Sequence, residues 1–454
     1  MELIAVHLAR IERMNPSLNA ITYLGAEGAL AQARAAEETV ARGGELGPLH
    51  GVPITIKSSI DVWGMKCECG SKLREGHVPE RDAPLVARLR EAGAIVLGTT
   101  NVPDLLMAYE SDNLLYGRTN SPWDLERTPG GSSGGESAAI AAGLSAAGFG
   151  SDGGGSVRVP AHFSGIYGLK PTPGVIPRTG HWPACLGPSA FLGLVGPMAR
   201  SAEDLELLLR LTVGAEYHDP SSAPVSVAPP AGAEVLKARI GWFTDNGIVP
   251  VTPETAAAVE CAAKVLSDAG FAVEPYQPTG LESAHEVWWT LFGVAGAALV
   301  KPLAAGREDE LHPVTRELLA DGAEAAAMTY EKFLNAWVHR DRLRSKLLGQ
   351  MEVFPILLSP VAAVPAFRHG ERSWPVDGTS VPYSQAFSYS TVYNLLGNPA
   401  AVAPVGRAPS GMPIGVQIIG RPFEDALVVA VARRLEEAMG GWQAPPELEL
   451  NPKC

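Results

Sequence analysis

Hydrophobic positions along this chain follow two periods. Leu3, Ile4, Leu8, Ile11 and Met14 recur at helical spacing, which predicts an amphipathic N-terminal helix ended by Pro16. Helices are predicted likewise over 82–93, over the Ala-rich stretch 136–148, and over 253–270 and 424–439. Short apolar runs bounded by turn residues predict buried strands at 94–98, 239–243, 271–276, 355–359, 401–405 and 414–419. This alternation predicts the α/β class, with a large twisted mixed β-sheet covered by helices on both faces.

One stretch interrupts the pattern. The connector SSAPVSVAPPAGA at 221–233 is rich in Pro, Ala and Ser and predicts a surface crossover inside a single domain of 1–454. The motif-bearing core is placed at about 45–215 and a variable pocket region at about 280–390. The longest apolar run, WWTLFGVAGAALV at 288–300, stops at Lys301 and is shorter than the ~20 residues a transmembrane helix needs. It predicts a buried or pocket-lining helix, and no membrane span; a membrane-dipping cap is the lesser alternative. The first residues carry Glu2, Arg10 and Arg13 among their apolar positions, unlike a signal peptide.

Composition narrows the class further. A chain of 454 residues with 46% hydrophobic and only 19% charged residues, 49 Gly and 38 Pro, describes a loop-rich globular enzyme. The net charge of -13 and the lack of any basic run argue against a nucleic-acid partner, because such binding depends on Lys and Arg neutralising phosphates. Five scattered cysteines, Cys67, Cys69, Cys185, Cys261 and Cys454, suit packed thiols in a reducing cytoplasm better than a disulfide framework. None of the ten histidines pairs at ligand spacing, so no metal is expected, and His162 and His181 are assigned packing or surface roles.

Three segments carry candidate chemistry. GVPITIK delivers Lys57 to the end of a strand-like alternation of Val52, Ile54 and Ile56. Burial there disfavours the ammonium, and a neutral lysine is a base. GGSSGG sets Ser132 and Ser133 among four glycines, just before the Ala-rich helix. SDGGGS places Gly153, Gly154 and Gly155 directly before Ser156, a run of unobstructed N–H groups suited to an oxyanion hole.

Two decoys share these glycines. GGSSGG fits the nucleophile elbow of α/β-hydrolases centred on Ser133, but the preceding WDLERTP is no apolar strand. GFGSDG fits a dinucleotide fingerprint, yet it follows a predicted helix, and Pro160 comes soon after. No phosphate-binding G-K-[ST] ending occurs, and no cofactor is expected.

Those segments belong to six ordered blocks: LHGVPITIKSSIDVWG, DAPLVARLREAGAIVLGTTN, YGRTNSPWDLERTPGGSSGGESAAIAAG, SDGGGSVRVPAHFSGIYGLKPTPG, GPMARSAEDLELLL, and NLLGNPAAVAPVG with MPIGVQIIGRPFED. In them the chain resembles the amidase signature family nearly end to end. The resemblance implies Lys57 as base, Ser132 as a proton relay held by a cis peptide, and Ser156 as nucleophile. It implies the N–H groups of Gly153, Gly154, Gly155 and Ser156 as oxyanion hole. Leu106 and Met107 match a stretch lining the pocket entrance, with core packing as the simpler account. Ser133 is placed in the substrate-binding set, as is Arg158, which contacts a substrate carboxylate in some members; an ion pair with Asp152 is equally open.

Departures from the family pattern are Ser58 for Asp, Thr99 for Lys, and SDGGGS for TDxGGS, where Gly153 replaces a larger residue and is expected to widen the pocket floor. The N-terminus also begins late for the family. The resemblance implies an amidohydrolase acting on a small-molecule amide, or on an anilide, ester or carbamate, as monomer or homodimer. Trp288, Trp289, Phe292, Trp374, Tyr383, Phe387 and Tyr389 favour a bulky apolar substrate, or else belong to the core. The alternatives are the glutaminase component of a tRNA-dependent amidotransferase, and a silent binding protein on the same scaffold.

Overall fold

The apolar runs assemble edge to edge into one sheet. In the computed structural model, which describes residues 1–228, 230–320 and 327–446, the strands are β1 (Ile21–Leu24), β2 (Pro53–Lys57), β3 (Ile95–Thr100), β4 (Ala147–Asp152), β5 (Tyr167–Lys170), β6 (Leu194–Ala199), β7 (Ile240–Trp242), β8 (Val273–Pro275), β9 (Ile356–Pro360), β10 (Ser373–Val376), β11 (Thr379–Pro382), β12 (Ala400–Arg407) and β13 (Pro413–Ile419). Eleven of them form a single sheet in the order β1-β3-β2-β4-β6-β5-β12-β13-β9-β7-β8, and β10 pairs with β11 in a separate hairpin. β2 runs parallel to β3 and β4, and β7 to β8 and β9, while the other pairings in the sheet are antiparallel. The sheet is therefore mixed, as expected.

The junction between the two parts of the chain is β5 against β12, from Lys170 opposite Ala400 to Gly168 opposite Val402. The connector at 221–233 thus crosses between two parts of one sheet. Central strands are buried on both faces: every residue of β2, β3, β4, β9 and β13 is buried. Helices Pro84–Glu91, Ala202–Thr212, Pro253–Asp268 and Asp425–Met439 turn their apolar residues into the main core.

Two helix boundaries differ from expectation. The first helix runs Glu2–Leu18 with Pro16 inside it, and ends at Asn19 in the left-handed conformation. Pro16 and Glu12, whose carbonyl loses its partner, both lie on the exposed side, open to solvent. The Ala-rich helix spans only Gly134–Ala141 and stops before Gly143, whose φ is +69°. Residues 147 and 148 instead open β4, where a side chain at Gly148 would overlap the Glu136 carboxylate.

The long apolar run is longer in space than in pattern. Residues Ala284–Ala304 form one continuous helical segment of 21 residues, with a π-type turn at Trp289–Val294. Among the described residues this segment alone is long and apolar enough, by length and composition, to cross a membrane: the helix extends beyond the short apolar run at 288–300 on both sides. Its Val287, Trp288 and Leu291 pack in a second apolar cluster with Leu343, Leu347 and Tyr393, from helices Tyr330–Gln350 and Ser388–Leu396.

Ile418 is fully buried in β13, opposite Ala401 of β12 and Leu358 of β9. Ile418→Ala is expected to lower the unfolding free energy by about 3 kcal/mol, measured by urea denaturation.

Candidate active site

Period two along β2 places Thr55 and Lys57 on one face of the sheet and Ile54 and Ile56 on the other. Lys57 lies opposite Thr100 of β3, and the buried helix Gly134–Ala141 crosses the same face. Glu136 there accepts from the Thr55 hydroxyl at 2.6 Å and the Thr100 hydroxyl at 2.8 Å. The Lys57 amine is wholly buried, with Nζ 2.7 Å from Ser132 Oγ and 2.9 Å from both Ser133 Oγ and Ser151 Oγ.

Among the described residues no carboxylate touches that amine, so burial dominates and brings its pKa down to about 7; Cys69, Asp152 and Glu136 oppose the shift from farther off. Burial likewise pushes the Glu136 carboxyl up to about 7, against its two hydroxyl donors and Lys57. An uncharged lysine is therefore accessible near neutral pH.

GGSSGG and SDGGGS meet at this amine. The Gly131–Ser132 peptide is cis. The Ser133 N–H donates to the Ser156 carbonyl at 3.2 Å, tying the two loops together. Ser132 and Ser156 both open onto one cavity of about 460 Å³, whose wall also includes Leu106, Met107, Gly153 and Gly154. Leu105 and Leu106 hold positive φ values of 52° and 65°, a conformation costly for leucine and tolerated only where the surroundings enforce it.

Other members of the expected set lie elsewhere. Ser133 is fully buried behind Ser132, with its hydroxyl on Lys57, so it is not part of the cavity wall. Gly155, at φ +116°, has its N–H committed to Asp152 Oδ1 at 2.7 Å, which removes it from the free donors for an oxyanion.

Arg158 is fully buried and meets Asp152 through Nε and Nη2, each at 3.0 Å. It also meets Asn394 Oδ1 at 2.5 Å, the Ser390 carbonyl at 2.9 Å and Gln417 Oε1 at 3.1 Å. All three guanidinium nitrogens are thus occupied by protein, and the ion pair is the alternative the structure contains. Burial alone would raise the Asp152 carboxyl, but the Arg158 charge and the bonds from Arg158 and Asn394 hold it well below the usual range.

Gly153 does not widen the floor, because a side chain there would overlap the Phe292 ring, which fills that space. Thr99 gives its hydroxyl to the Lys66 carbonyl at 2.7 Å, away from the Lys57 amine. Among the aromatic residues, Trp288, Trp289, Phe292 and Tyr383 line the cavity; Phe387 and Tyr389 are buried in the core, and Trp374 packs against it. Sequence reasoning missed Glu136 and the Ser151 hydroxyl. The one carboxylate at the head of an otherwise small and apolar helix was the available signal for Glu136.

Comparison with known proteins gives the family. A family model described as Amidase matches residues 2–429. The chain belongs to the amidase signature family. Its similarity to the A component of the glutamyl-tRNA(Gln) amidotransferase of Heliobacterium modesticaldum is 31% identity over 98% of this chain and 95% of that one. To fatty-acid amide hydrolase 2-A of Danio rerio it is 32% identical, over 100% of this chain and 88% of that protein. A solved 6-aminohexanoate cyclic dimer hydrolase complexed with substrate superposes with a TM-score of 0.85 at 29% identity, covering 99% and 95% of the two chains. The chain is thus an amidase signature hydrolase acting on C–N bonds.

Within this family scaffold the Arg158 pair has a measurable consequence. Arg158→Ala leaves Asp152 as a buried, unpaired carboxylate, and a stability loss of about 3–5 kcal/mol is expected in urea unfolding. A residue serving substrate contact alone would leave unfolding unchanged.

Proposed function

We propose that this protein is an amidohydrolase that cleaves a linear carboxylic amide through an acyl-Ser156 intermediate, with bulky apolar amides as its substrate class and anilides, esters or carbamates as further substrates. The observation that carries the reading is the uncharged-capable Lys57 amine at 2.7 Å from Ser132, beneath the cavity onto which Ser132 and Ser156 open.

In this reading neutral Lys57 takes the Ser132 proton while Ser132 takes that of Ser156, and Ser156 Oγ bonds to the acyl carbon. The oxyanion is held by free N–H groups of the Gly153–Ser156 run. As the C–N bond breaks, the proton returns through Ser132 to the leaving nitrogen, and water then releases the acyl group by the same route. Two hydroxyls and an amine do here what an imidazole does in a Ser-His-Asp site.

The substrate class rests on the cavity wall. Trp288, Trp289, Phe292, Leu106, Met107 and Leu299 present mostly carbon to whatever fills it, which suits an apolar acyl or amine group. A glutaminase working within an amidotransferase is the second reading, supported by the amidotransferase relative; glutamine would leave such walls poorly matched. Turnover of a panel of aryl amide, alkyl amide, ester, carbamate and glutamine separates the two, and preference for glutamine would overturn the first.

Ser156→Ala and Lys57→Ala, made separately, are each expected to reduce kcat by more than about a thousandfold. Retained turnover in either ends the assignment. Because activity requires the uncharged amine, kcat/KM should rise with pH through an apparent pKa near 7. Glu136→Gln removes a carboxyl that stabilises the ammonium only when ionised, and burial pushes its own pKa up to about 7, so the acid limb of that profile should move only slightly to lower pH; a shift to higher pH would contradict the coupling.

A further inference from the structure

The glycine run before Ser156 has no side chains of its own to fix its peptide planes, yet three successive carbonyls in it are held from outside. Asn394 Nδ2 donates to the Asp152 carbonyl at 3.0 Å, Trp288 Nε1 to the Gly153 carbonyl at 2.8 Å, and the Tyr109 hydroxyl to the Gly154 carbonyl at 2.8 Å. These donors come from helix Ser388–Leu396, from the apolar segment Ala284–Ala304 that caps the cavity, and from the loop after Met107. In a trans peptide the N–H points opposite to the carbonyl of the same plane. Each bond therefore aims one N–H: that of Gly153, Gly154 and Gly155 in turn.

The three differ in what their N–H can do. Gly155 gives its own to Asp152 Oδ1, inside the protein. Gly153 and Gly154 both line the cavity with Ser156, and Gly154 shares its peptide plane with the carbonyl that Trp288 holds. Trp288 also covers Gly154, where a side chain would overlap the indole ring, and its ring stacks on Phe292 with centroids 5.6 Å apart. A bare glycine peptide would otherwise have several orientations to choose from.

We propose that Trp288 is a positioning residue of the oxyanion hole: its indole N–H, bound to the Gly153 carbonyl, fixes the Gly153–Gly154 peptide so that the Gly154 N–H meets the oxyanion formed when Ser156 attacks. The same bond draws electron density toward the carbonyl and strengthens the N–H as a donor. The cap segment that walls the substrate pocket thus also sets the geometry of the reacting end. Tyr109 acts one peptide further on, where the N–H serves Asp152, so its hydroxyl holds the loop without aiming a donor at the substrate. This inference rests on the nucleophile assignment made above.

The test uses the whole protein and a substrate it turns over. Trp288→Phe keeps a ring over Gly154 and loses the donor, and replacing the indole by its benzothiophene isostere exchanges only N–H for sulfur. Both are expected to lower kcat roughly tenfold with KM within about twofold. They should weaken a trifluoromethyl ketone, which forms a tetrahedral adduct, by the same factor, while binding of the product acid is unchanged. Tyr109→Phe should lower kcat by a smaller factor. Unchanged kcat in the benzothiophene variant, or equal losses for adduct and product, would assign Trp288 to pocket shape alone and overturn the proposal. Ser156→Ala is the control: full turnover there would overturn the nucleophile assignment, whereas its inactivity beside a fully active isostere overturns only the role of Trp288.

Discussion

A lysine amine sealed inside the protein against three hydroxyls is the constraint around which the rest is arranged. In water that amine would hold its proton far above neutrality; buried, it releases it near pH 7. Maintaining the burial needs a strand that ends beneath a cavity, a helix of small residues that can lie directly on that strand, and glycines wherever two backbones meet. Helix Gly134–Ala141 meets the second need because all of its residues can be buried, and Glu136 is held by hydroxyls from the strands it crosses.

The second organising feature is the Asp152–Arg158 pair. A buried ion pair with incomplete hydrogen bonding tends to cost stability, and this one is fully engaged: Asn394, Ser390 and Gln417 occupy the guanidinium, and N–H groups of Gly155 and Val157 occupy the carboxylate. These partners come from both parts of the chain. The pair therefore joins the glycine loop before Ser156 to helix Ser388–Leu396 and to β13, so the sheet closes around the site rather than beside it.

The cap at Ala284–Ala304 combines two demands that are usually separate. Its apolar length builds a second hydrophobic cluster and a cavity wall, while Trp288 turns a polar edge toward the glycine loop and Phe292 fills the space left at Gly153. A side chain at Gly153 would have to displace that ring.

Much of this was readable in one dimension. Apolar periodicity gave the mixed sheet and its helices, because burial on both faces requires continuous runs of carbon. The spacing of Lys57, Ser132 and Ser156 among glycines marked them as candidates, because few residue types suit a base, a relay and an unobstructed main chain. Helix ends were less legible, since the fate of Pro16 depended on which side faced water, and that of residues 147–148 on where Glu136 lay. The contacts of Ser133, Gly155, Arg158 and Gly153 became visible only in three dimensions: each depended on a partner far away in sequence or on the far side of a loop. Local pattern determines what a residue is able to do, whereas the tertiary structure decides which atoms are left free to do it, because every hydrogen bond already made inside the protein removes a donor from the site.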